Sequence, residues 1–296
     1  RKSMKLITYQ YRGIEEAGVL ARSGDFVYPL RMLGVSCRKM SELIDGGSSL
    51  LEKVRMAVKE ADRRLPLAEI QLEAPIPEPR QDIICLGINY REHAEESVRF
   101  KGDALSIGKT EYATYFSKRV NRATGSGALI DTHGGFAEEL DYEAELAVVI
   151  GKDACRVAEE DAFDYVFGYT IINDITSRAV QTRHNQWFFG KSLDSFAPMG
   201  PCLVTEDEFT RPPILRVTSR VNGELRQNST TDFMIHGIAE VISELSQGIT
   251  LKKGTIIAMG TPAGVGMGFQ PPRFLRSGDT VVCEIEGIGI LENSVK

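Results

Sequence analysis

The chain has 296 residues, of which 42% are hydrophobic and 26% are charged, both close to the averages of soluble globular proteins. This composition excludes a disordered, collagen-like or coiled-coil protein, and the length suits about two ordinary domains. The 35 Lys and Arg against 41 Asp and Glu give a formal net charge of −6. Since no basic cluster offsets that charge, nucleic acid is not expected as a partner.

The five cysteines are scattered and have neither the spacing of a zinc site nor that of a disulfide framework. We therefore expect reduced thiols in a cytoplasmic protein. No apolar segment follows the basic start of the chain, so no signal peptide is expected. The longest uncharged run, residues 254–272, contains five glycines and three prolines, and a membrane-spanning helix is not expected there.

The first predicted elements form a small mixed unit. Alternating apolar residues predict short strands at residues 5–11 and 26–30. A helical turn that ends at a glycine is predicted for residues 40–47. The apolar spacing of residues 50–64 predicts a helix, which Pro66 terminates.

Pro75, Pro77 and Pro79 alternate in the segment that follows this unit. Alternate prolines favour extended backbone and break helices, so this segment is the predicted domain boundary. We expect a small N-terminal α/β domain over residues 1–75 and a larger domain over residues 76–296.

The larger part of the chain is rich in predicted strands. Continuous or alternating apolar runs predict strands at residues 82–87, 140–151 and 167–174. Asn222-Gly223 predicts a tight hairpin because both turn residues accept positive φ, and a second hairpin is expected around Gly287. Helices are predicted at residues 90–98, 159–163 and 233–246. The pattern as a whole predicts a β-rich α+β fold.

Three carboxylates are candidates for a metal site. Glu143 and Glu145 are two residues apart in a predicted strand, so their side chains share one face, and Asp174 ends another apolar strand. An all-oxygen set without a neighbouring Cys or His suits Mg²⁺ or Mn²⁺ and also admits Ca²⁺. The alternative is that Glu143 and Glu145 form the acidic rim of a half-exposed strand. These two residues alone favour the metal site and the acidic rim about equally.

His93 and Glu96 form a candidate catalytic pair. If residues 90–98 are helical, Glu96 lies one turn beyond His93, within hydrogen-bond reach of the imidazole. Such a pair on a helix is more often a solvated surface contact than a catalytic dyad, and both interpretations stay open on spacing alone.

Six segments in order resemble the signature blocks of the fumarylacetoacetate hydrolase family. They read GINYREH, LDYEAELAVVIGK, GYTIINDITSRAVQ, GKSLDSFAPMGP, VNGELRQ and MGTPAGVG. The resemblance covers about residues 82–294, and residues 1–75 resemble the small N-terminal domain of many bacterial members. It implies a mixed β-roll or sandwich, a homodimer, and one divalent metal ion held by Glu143, Glu145 and Asp174.

The same resemblance implies roles for further residues. It implies that His93 and Glu96 form a catalytic dyad on a short, mobile lid helix. Gln181, Lys191 and Thr261 match positions that face the substrate in relatives. The chain departs from the usual family pattern at two places, where it reads Arg178-Ala179 instead of Arg-Asp and FSKR (residues 116–119) instead of FxKP.

The chemistry implied by the resemblance is cleavage of a C–C bond beside a ketone in a small 2-oxo acid. Such an acid can chelate a divalent cation through its carboxylate and keto oxygens, and cleavage beyond C3 leaves a pyruvate enolate. Lys191 would add positive charge near the developing enolate oxygen. His93 would deprotonate an attacking water in a hydrolysis, whereas a decarboxylation needs no water.

Several reactions remain open. Acylpyruvate or fumarylpyruvate-type hydrolysis and oxaloacetate decarboxylation are favoured about equally. Hydrolysis of a dioxo sugar acid and an isomerase role in catabolism are further alternatives. In a different class, the chain would be a metal-binding module without turnover, although such a module has no need of a His–Glu pair on a mobile helix.

Overall fold

The structure is a computed structural model that describes residues 3–101 and 111–296. Within these ranges the helices are α1 (Met40–Lys59), α2 (Arg91–Lys101), α3 (Arg178–Arg183), α4 (Phe188–Lys191) and α5 (Ile238–Ser246). The strands are β1 (Lys5–Tyr11), β2 (Ile14–Leu20), β3 (Phe26–Pro29), β4 (Leu65–Pro66), β5 (Gln71–Leu72), β6 (Ile83–Gly87), β7 (Thr114–Lys118), β8 (Leu129–Ile130), β9 (Leu140–Asp141), β10 (Ala144–Ile150), β11 (Val166–Asn173), β12 (Thr176–Ser177), β13 (Met199–Thr205), β14 (Arg216–Val221), β15 (Glu224–Thr230), β16 (Ile256–Ala258), β17 (Thr280–Ile285) and β18 (Gly289–Val295).

A large 11-stranded sheet forms the centre of the protein. Its strands run in the order β4-β3-β2-β1-β13-β11-β10-β16-β6-β7, and β5 pairs with β1. A second sheet, in the order β15-β14-β17-β18-β8, packs on one face of the large sheet, and α1 packs on the other. The predicted β-rich α+β fold is confirmed.

Strand β10 is buried on both faces because it lies between these layers. Leu146 and Val148 point into the core shared with the second sheet and α5, while Ala147 and Val149 point into the core shared with α1. A strand buried on both faces reads as a continuous apolar run, which explains the sequence AELAVVI. The one charged residue in the strand, Glu145, lies at its start, beside the end of β11.

Both predicted hairpins are confirmed. Strands β14 and β15 pair through a turn in which Asn222 and Gly223 have φ values of 51° and 83°. Strands β17 and β18 pair through a turn that contains Gly287 at φ 78°. Positive φ is cheap for glycine and tolerable for asparagine, which is why these residues occupy the turns.

The helix boundaries differ from the predictions. The two helical segments predicted at residues 40–47 and 50–64 lie in one helix, α1, which is interrupted at Gly47 and ends at Lys59. Residues 159–163 form part of a 3-10 helix, and α5 begins at Ile238 rather than at residue 233. The helix predicted over residues 90–98 is longer and is continuous from Arg91 to Lys101.

The strand predicted over residues 140–151 is divided into β9 and β10. The Asp141 carboxylate accepts the Tyr142 N–H at 2.9 Å, and the Glu143 N–H bonds Asn173 Oδ1 at 3.0 Å instead of a neighbouring strand. These side-chain bonds replace ladder bonds at Tyr142 and Glu143. The interruption places Glu143 immediately before β10.

Residues 1–75 add their strands to the sheet of the larger part of the chain. Strand β1 pairs with β13, with Lys5 opposite Val204 and Leu6 opposite Leu203. The division at residue 75 therefore stays a prediction. In the described ranges, no helix combines the length and the apolar character needed to cross a membrane.

Candidate active site and metal centre

Glu143, Glu145 and Asp174 converge because β10 and β11 are antiparallel neighbours. Ala144 lies opposite Asn173, so the start of one strand meets the end of the other. Each carboxylate offers an oxygen, and these oxygens lie within 4.8 Å of one another. All three residues are buried. The structure thus brings together the three predicted ligands, whose role in metal binding stays a prediction.

Three buried cations surround the triad. Lys191 Nζ lies 2.9 Å from Glu143 Oε2 and 2.7 Å from Asp174 Oδ2. Lys118 Nζ lies 2.6 Å from Asp174 Oδ1, and Arg178 Nη2 lies 2.7 Å from Glu143 Oε1. Glu145 Oε2 accepts from the Gly260 N–H at 3.0 Å, whereas Glu145 Oε1 is buried without a hydrogen-bond partner among the described residues.

The pKa values reflect this uneven pairing. Burial, together with the Asp174 and Glu143 carboxylates, holds the pKa of Glu145 well above its usual range. Burial also acts on Glu143, but the charges of Lys191 and Arg178 outweigh it and hold the pKa of Glu143 below its usual range. The pKa of Lys191 is raised despite its burial, because Asp174 and Glu143 stabilise the ammonium form.

The donor set fits a hard divalent cation. Three carboxylates with an orphaned buried oxygen are the ligands that Mg²⁺ and Mn²⁺ prefer, and no histidine or cysteine belongs to the cluster. A cation at this place would also remove the repulsion that raises the Glu145 pKa.

His93 and Glu96 meet on α2 as the i, i+3 spacing predicts. His93 Nδ1 lies 2.9 Å from Glu96 Oε2, and the two side chains are only 11% and 12% exposed. The pair is therefore not a solvated surface contact, which was the alternative interpretation. Glu96 Oε1 accepts a further hydrogen bond from the Gly264 N–H at 3.1 Å. The catalytic role of the dyad stays a prediction.

The dyad and Glu143, one member of the triad, border one pocket. Its polar side chains include His93, Glu96, Glu143, Arg178, Gln181 and Lys191. Its apolar side chains are Leu86, Ile88, Phe116, Trp187, Val265 and Met267. The lining thus combines charged side chains, which can hold an acid, with apolar side chains that limit the access of water.

The three predicted substrate-facing residues, Gln181, Lys191 and Thr261, all line this pocket. Gln181 Oε1 accepts from Arg178 Nη1 at 3.1 Å. The Thr261 hydroxyl donates to the Ala144 carbonyl at 3.0 Å and accepts from Gln227 Nε2 at 2.7 Å. This hydroxyl is therefore committed to the fold, and Thr261 has its backbone and methyl group for contacts with a ligand.

Sequence reasoning missed the importance of Lys118, Arg178 and Asp141. All three are buried: Lys118 bonds Asp174, and Arg178 Nε donates to Asp141 Oδ2 at 2.9 Å. The available signals were the position of Lys118 at the end of the short strand β7 and the position of Arg178 directly after the two residues of β12. Neither position in the sequence shows which carboxylate the lysine or the arginine contacts in the folded protein.

Comparison with known proteins gives one family. The model of the fumarylacetoacetate (FAA) hydrolase C-terminal domain matches residues 82–296. The oxaloacetate tautomerase YisK of Bacillus subtilis is 51% identical over 229 residues, which are 77% of this chain and 74% of that protein. All of the site residues described above lie within residues 82–296.

Solved structures agree in fold over the whole length. A fumarylacetoacetate hydrolase from Exiguobacterium antarcticum is 37% identical with a TM-score of 0.86, covering 99% of each chain. A probable 2-hydroxyhepta-2,4-diene-1,7-dioate isomerase from Mycobacterium abscessus is 34% identical with a TM-score of 0.77, covering 99% of this chain and 98% of that one. The chain belongs to the fumarylacetoacetate hydrolase family.

Proposed function

We propose that the protein is an enzyme that transfers a proton at C3 of a small 2-oxo acid, and that its reaction is the keto–enol tautomerisation of oxaloacetate. The observation that carries the proposal is that His93, held by Glu96, borders the same pocket as Glu143 and Lys191. A proton acceptor and a cluster of positive charge thus face one small ligand. The tautomerase named above, 51% identical to this chain, supports the choice of oxaloacetate.

The proposed cofactor is Mg²⁺ or Mn²⁺, held by Glu143, Glu145 and Asp174. When bound, the cation supplies Lewis acidity for a substrate carboxylate and keto oxygen. Lys191 places an ammonium group on the same side of the pocket, where its charge would stabilise an enolate oxygen. Gln181 and Arg178 lie beside it and would orient the acid.

His93 is the proposed base. Its Nδ1 faces Glu96, so the carboxylate fixes the tautomer with the proton on Nδ1 and leaves Nε2 as the acceptor. Nε2 would take a proton from C3 and return it to the enolate oxygen to give the enol, and the reverse transfer would convert the enol to the ketone. Tautomerisation needs only this transfer, and the apolar walls keep out the water that a competing hydrolysis would use.

The second candidate is C–C bond cleavage through the same enolate. A solved relative 37% identical to this chain is a fumarylacetoacetate hydrolase, and His93 could activate a water molecule instead of removing a proton from C3. Acylpyruvate-type hydrolysis and oxaloacetate decarboxylation both belong to this candidate, since each breaks a bond beyond C3.

A product analysis separates the two. Oxaloacetate, acetylpyruvate and fumarylpyruvate are offered separately with Mg²⁺ or Mn²⁺, and NMR follows the enol, the ketone and pyruvate over time. We expect faster enol–keto conversion of oxaloacetate, with no pyruvate beyond the enzyme-free rate. Stoichiometric pyruvate would support cleavage and overturn tautomerisation as the main activity.

A further inference from the structure

A short loop contacts both the His93–Glu96 dyad and the residues that precede Glu143, the first predicted metal ligand. We call residues 264–268 the cradle loop. On one side it contacts Glu96, since the Gly264 N–H donates to Glu96 Oε1 at 3.1 Å while Oε2 of the same carboxylate faces His93. A methyl group built on Gly268 would overlap the Glu96 carboxylate, so this carboxylate packs directly against the Gly268 backbone.

On its other side the cradle loop is anchored to residues 141–142. The Tyr142 hydroxyl donates to the Gly264 carbonyl at 2.8 Å. The Asp141 carboxylate accepts from the Gly266 N–H at 2.6 Å and from the Met267 N–H at 3.0 Å. Both anchoring residues are fully buried. The positions of the Tyr142 and Asp141 side chains are therefore fixed by packing in the core.

These contacts form a continuous path from the triad to the dyad. Glu143 follows Tyr142 in the chain, Tyr142 and Asp141 hold the cradle loop, and the loop holds Glu96, which holds His93. Neither anchor is among the residues that line the pocket. A shift of the loop would move the imidazole relative to the metal ligands, and misplacement of a reacting group by about 1 Å can cost roughly 10²-fold in rate.

We infer that Tyr142, Asp141 and Gly268 are positioning residues, which set the place of the His93–Glu96 dyad relative to the metal site. The inference rests on the proposed role of the dyad. It predicts that substitutions at residues outside the pocket lining reduce kcat much more than they change KM or metal affinity, because the metal ligands stay in place while the base moves. Val265 and Met267 of the cradle loop line the pocket, so a small rise in KM accompanies the loss.

Gly268→Ala is the sharpest test. The three atoms nearest to the added methyl all belong to the Glu96 carboxylate, and the Gly268 backbone is outside the left-handed region, so the change acts first on Glu96. We expect kcat to fall by about 10- to 100-fold with a much smaller rise in KM, of about 2- to 3-fold, because Val265 and Met267 of the same loop line the pocket. Gly248→Ala is the matched control, since a methyl there meets nothing within 4 Å.

Tyr142→Phe tests the anchor with a milder change, and Tyr169→Phe is its control, because Tyr169 is equally buried and its hydroxyl has no hydrogen-bond partner among the described residues. Hydrogen–deuterium exchange of the peptide that covers the cradle loop is measured for all four variants and the wild type. We expect faster exchange in Gly268→Ala and Tyr142→Phe only.

The two readouts distinguish the possible failures. If wild-type protein has no activity on 2-oxo acids, the proposed function is wrong, and the exchange data still decide whether the loop holds Glu96. If Gly268→Ala and Tyr142→Phe match their controls in both kcat and exchange, the positioning role is overturned. Equal losses in kcat and in metal affinity would also contradict it, since they would mean general damage to the site.

Discussion

At the residue scale, Glu145 shows how burial and repulsion prepare a cation site. Four buried carboxylates meet three buried cations here, which leaves one negative charge without a partner: Asp141, Glu143, Glu145 and Asp174 against Lys118, Arg178 and Lys191. The excess falls on Glu145, whose pKa is raised and whose Oε1 has no hydrogen-bond partner among the described residues. Either a proton or a metal ion can neutralise this unpaired charge on Glu145.

The competition between proton and metal gives a pH dependence. A raised pKa keeps Glu145 protonated at pH values where a free glutamate is ionised, and a cation must displace that proton. Affinity for Mg²⁺ should therefore rise with pH, and binding should release up to about one proton. Isothermal titration calorimetry in buffers of different ionisation enthalpy measures both quantities. Glu145→Gln has no proton to release and should bind weakly; a pH-independent affinity in the wild type would contradict this account.

Lys118 is expected to stabilise the fold. It is buried, and its Nζ contacts Asp174 Oδ1 and the carbonyls of Ile175 and Lys191. Removing one partner of a buried ion pair leaves an uncompensated charge, so Lys118→Met should lower the free energy of unfolding by about 3–5 kcal/mol. Arg119→Met, next in the chain but on the surface, should change it little. Urea titration measures both, and equal effects would contradict the assignment.

At the element scale, the sequence predicted strands and turns better than helix ends. Asn222-Gly223 was sufficient to predict the first hairpin, and apolar runs were sufficient to predict β6 and β11. The residues that determine each of these elements lie within the element itself. The interruption of the strand before Glu143 depends on Asn173 and Asp141 side chains that meet only in the folded protein. For the same reason, spacing predicted the His93–Glu96 contact but not the Gly264 N–H that completes it.

The packing of Trp187 on β6 gives a prediction for the pocket wall. A methyl group on Gly87 would overlap the Trp187 ring, which also meets Phe116 edge-on at a centroid distance of 5.4 Å. Gly87→Ala should displace the ring and raise KM several-fold, and adding Trp187→Phe should restore part of the loss because a smaller ring leaves room. Steady-state kinetics of both single variants and the double variant measure this coupling. Additive effects would contradict a direct contact.

Trp187 is the single tryptophan of the chain, so intrinsic fluorescence reports the same wall. The emission should shift in Gly87→Ala without any ligand, because the ring leaves its contact with Phe116. Gly237→Ala serves as the control, since its added methyl meets nothing within 4 Å. An unchanged spectrum in Gly87→Ala would show that the ring does not move.

At the scale of the whole molecule, residues 1–75 share a sheet and a core with the rest of the chain. The sequence predicted two units from the prolines at residues 75–79, and the structure joins them through β1 and β13. Leu43 and Ile44 of α1 belong to the same apolar cluster as Val149 of β10. Pairing between distant strands leaves no local signal, so it could not be read from the sequence. The implied homodimer stays a prediction.

A truncation tests this integration. Residues 76–296 alone would expose the edge of β13 and the apolar face that α1 covers. We expect this fragment to aggregate or to lose cooperative unfolding, whereas the full chain elutes as one species in size-exclusion chromatography. A monodisperse, cooperatively folded fragment would instead support an autonomous domain beginning near residue 76.

The central claim is that a divalent cation and the His93–Glu96 dyad together catalyse proton transfer on oxaloacetate. The most direct measurement is the decay of enolic oxaloacetate, followed by absorbance with Mg²⁺, in wild type, Glu96→Gln and Glu95→Gln. Glu95 is exposed on the same helix and serves as the matched control. We predict a roughly 10²–10⁴-fold loss of the enzymatic rate in Glu96→Gln and a wild-type rate in Glu95→Gln. In excess EDTA, the wild-type protein should not accelerate the decay above the enzyme-free rate. Full activity in EDTA, or equal rates in the two variants, would contradict the account.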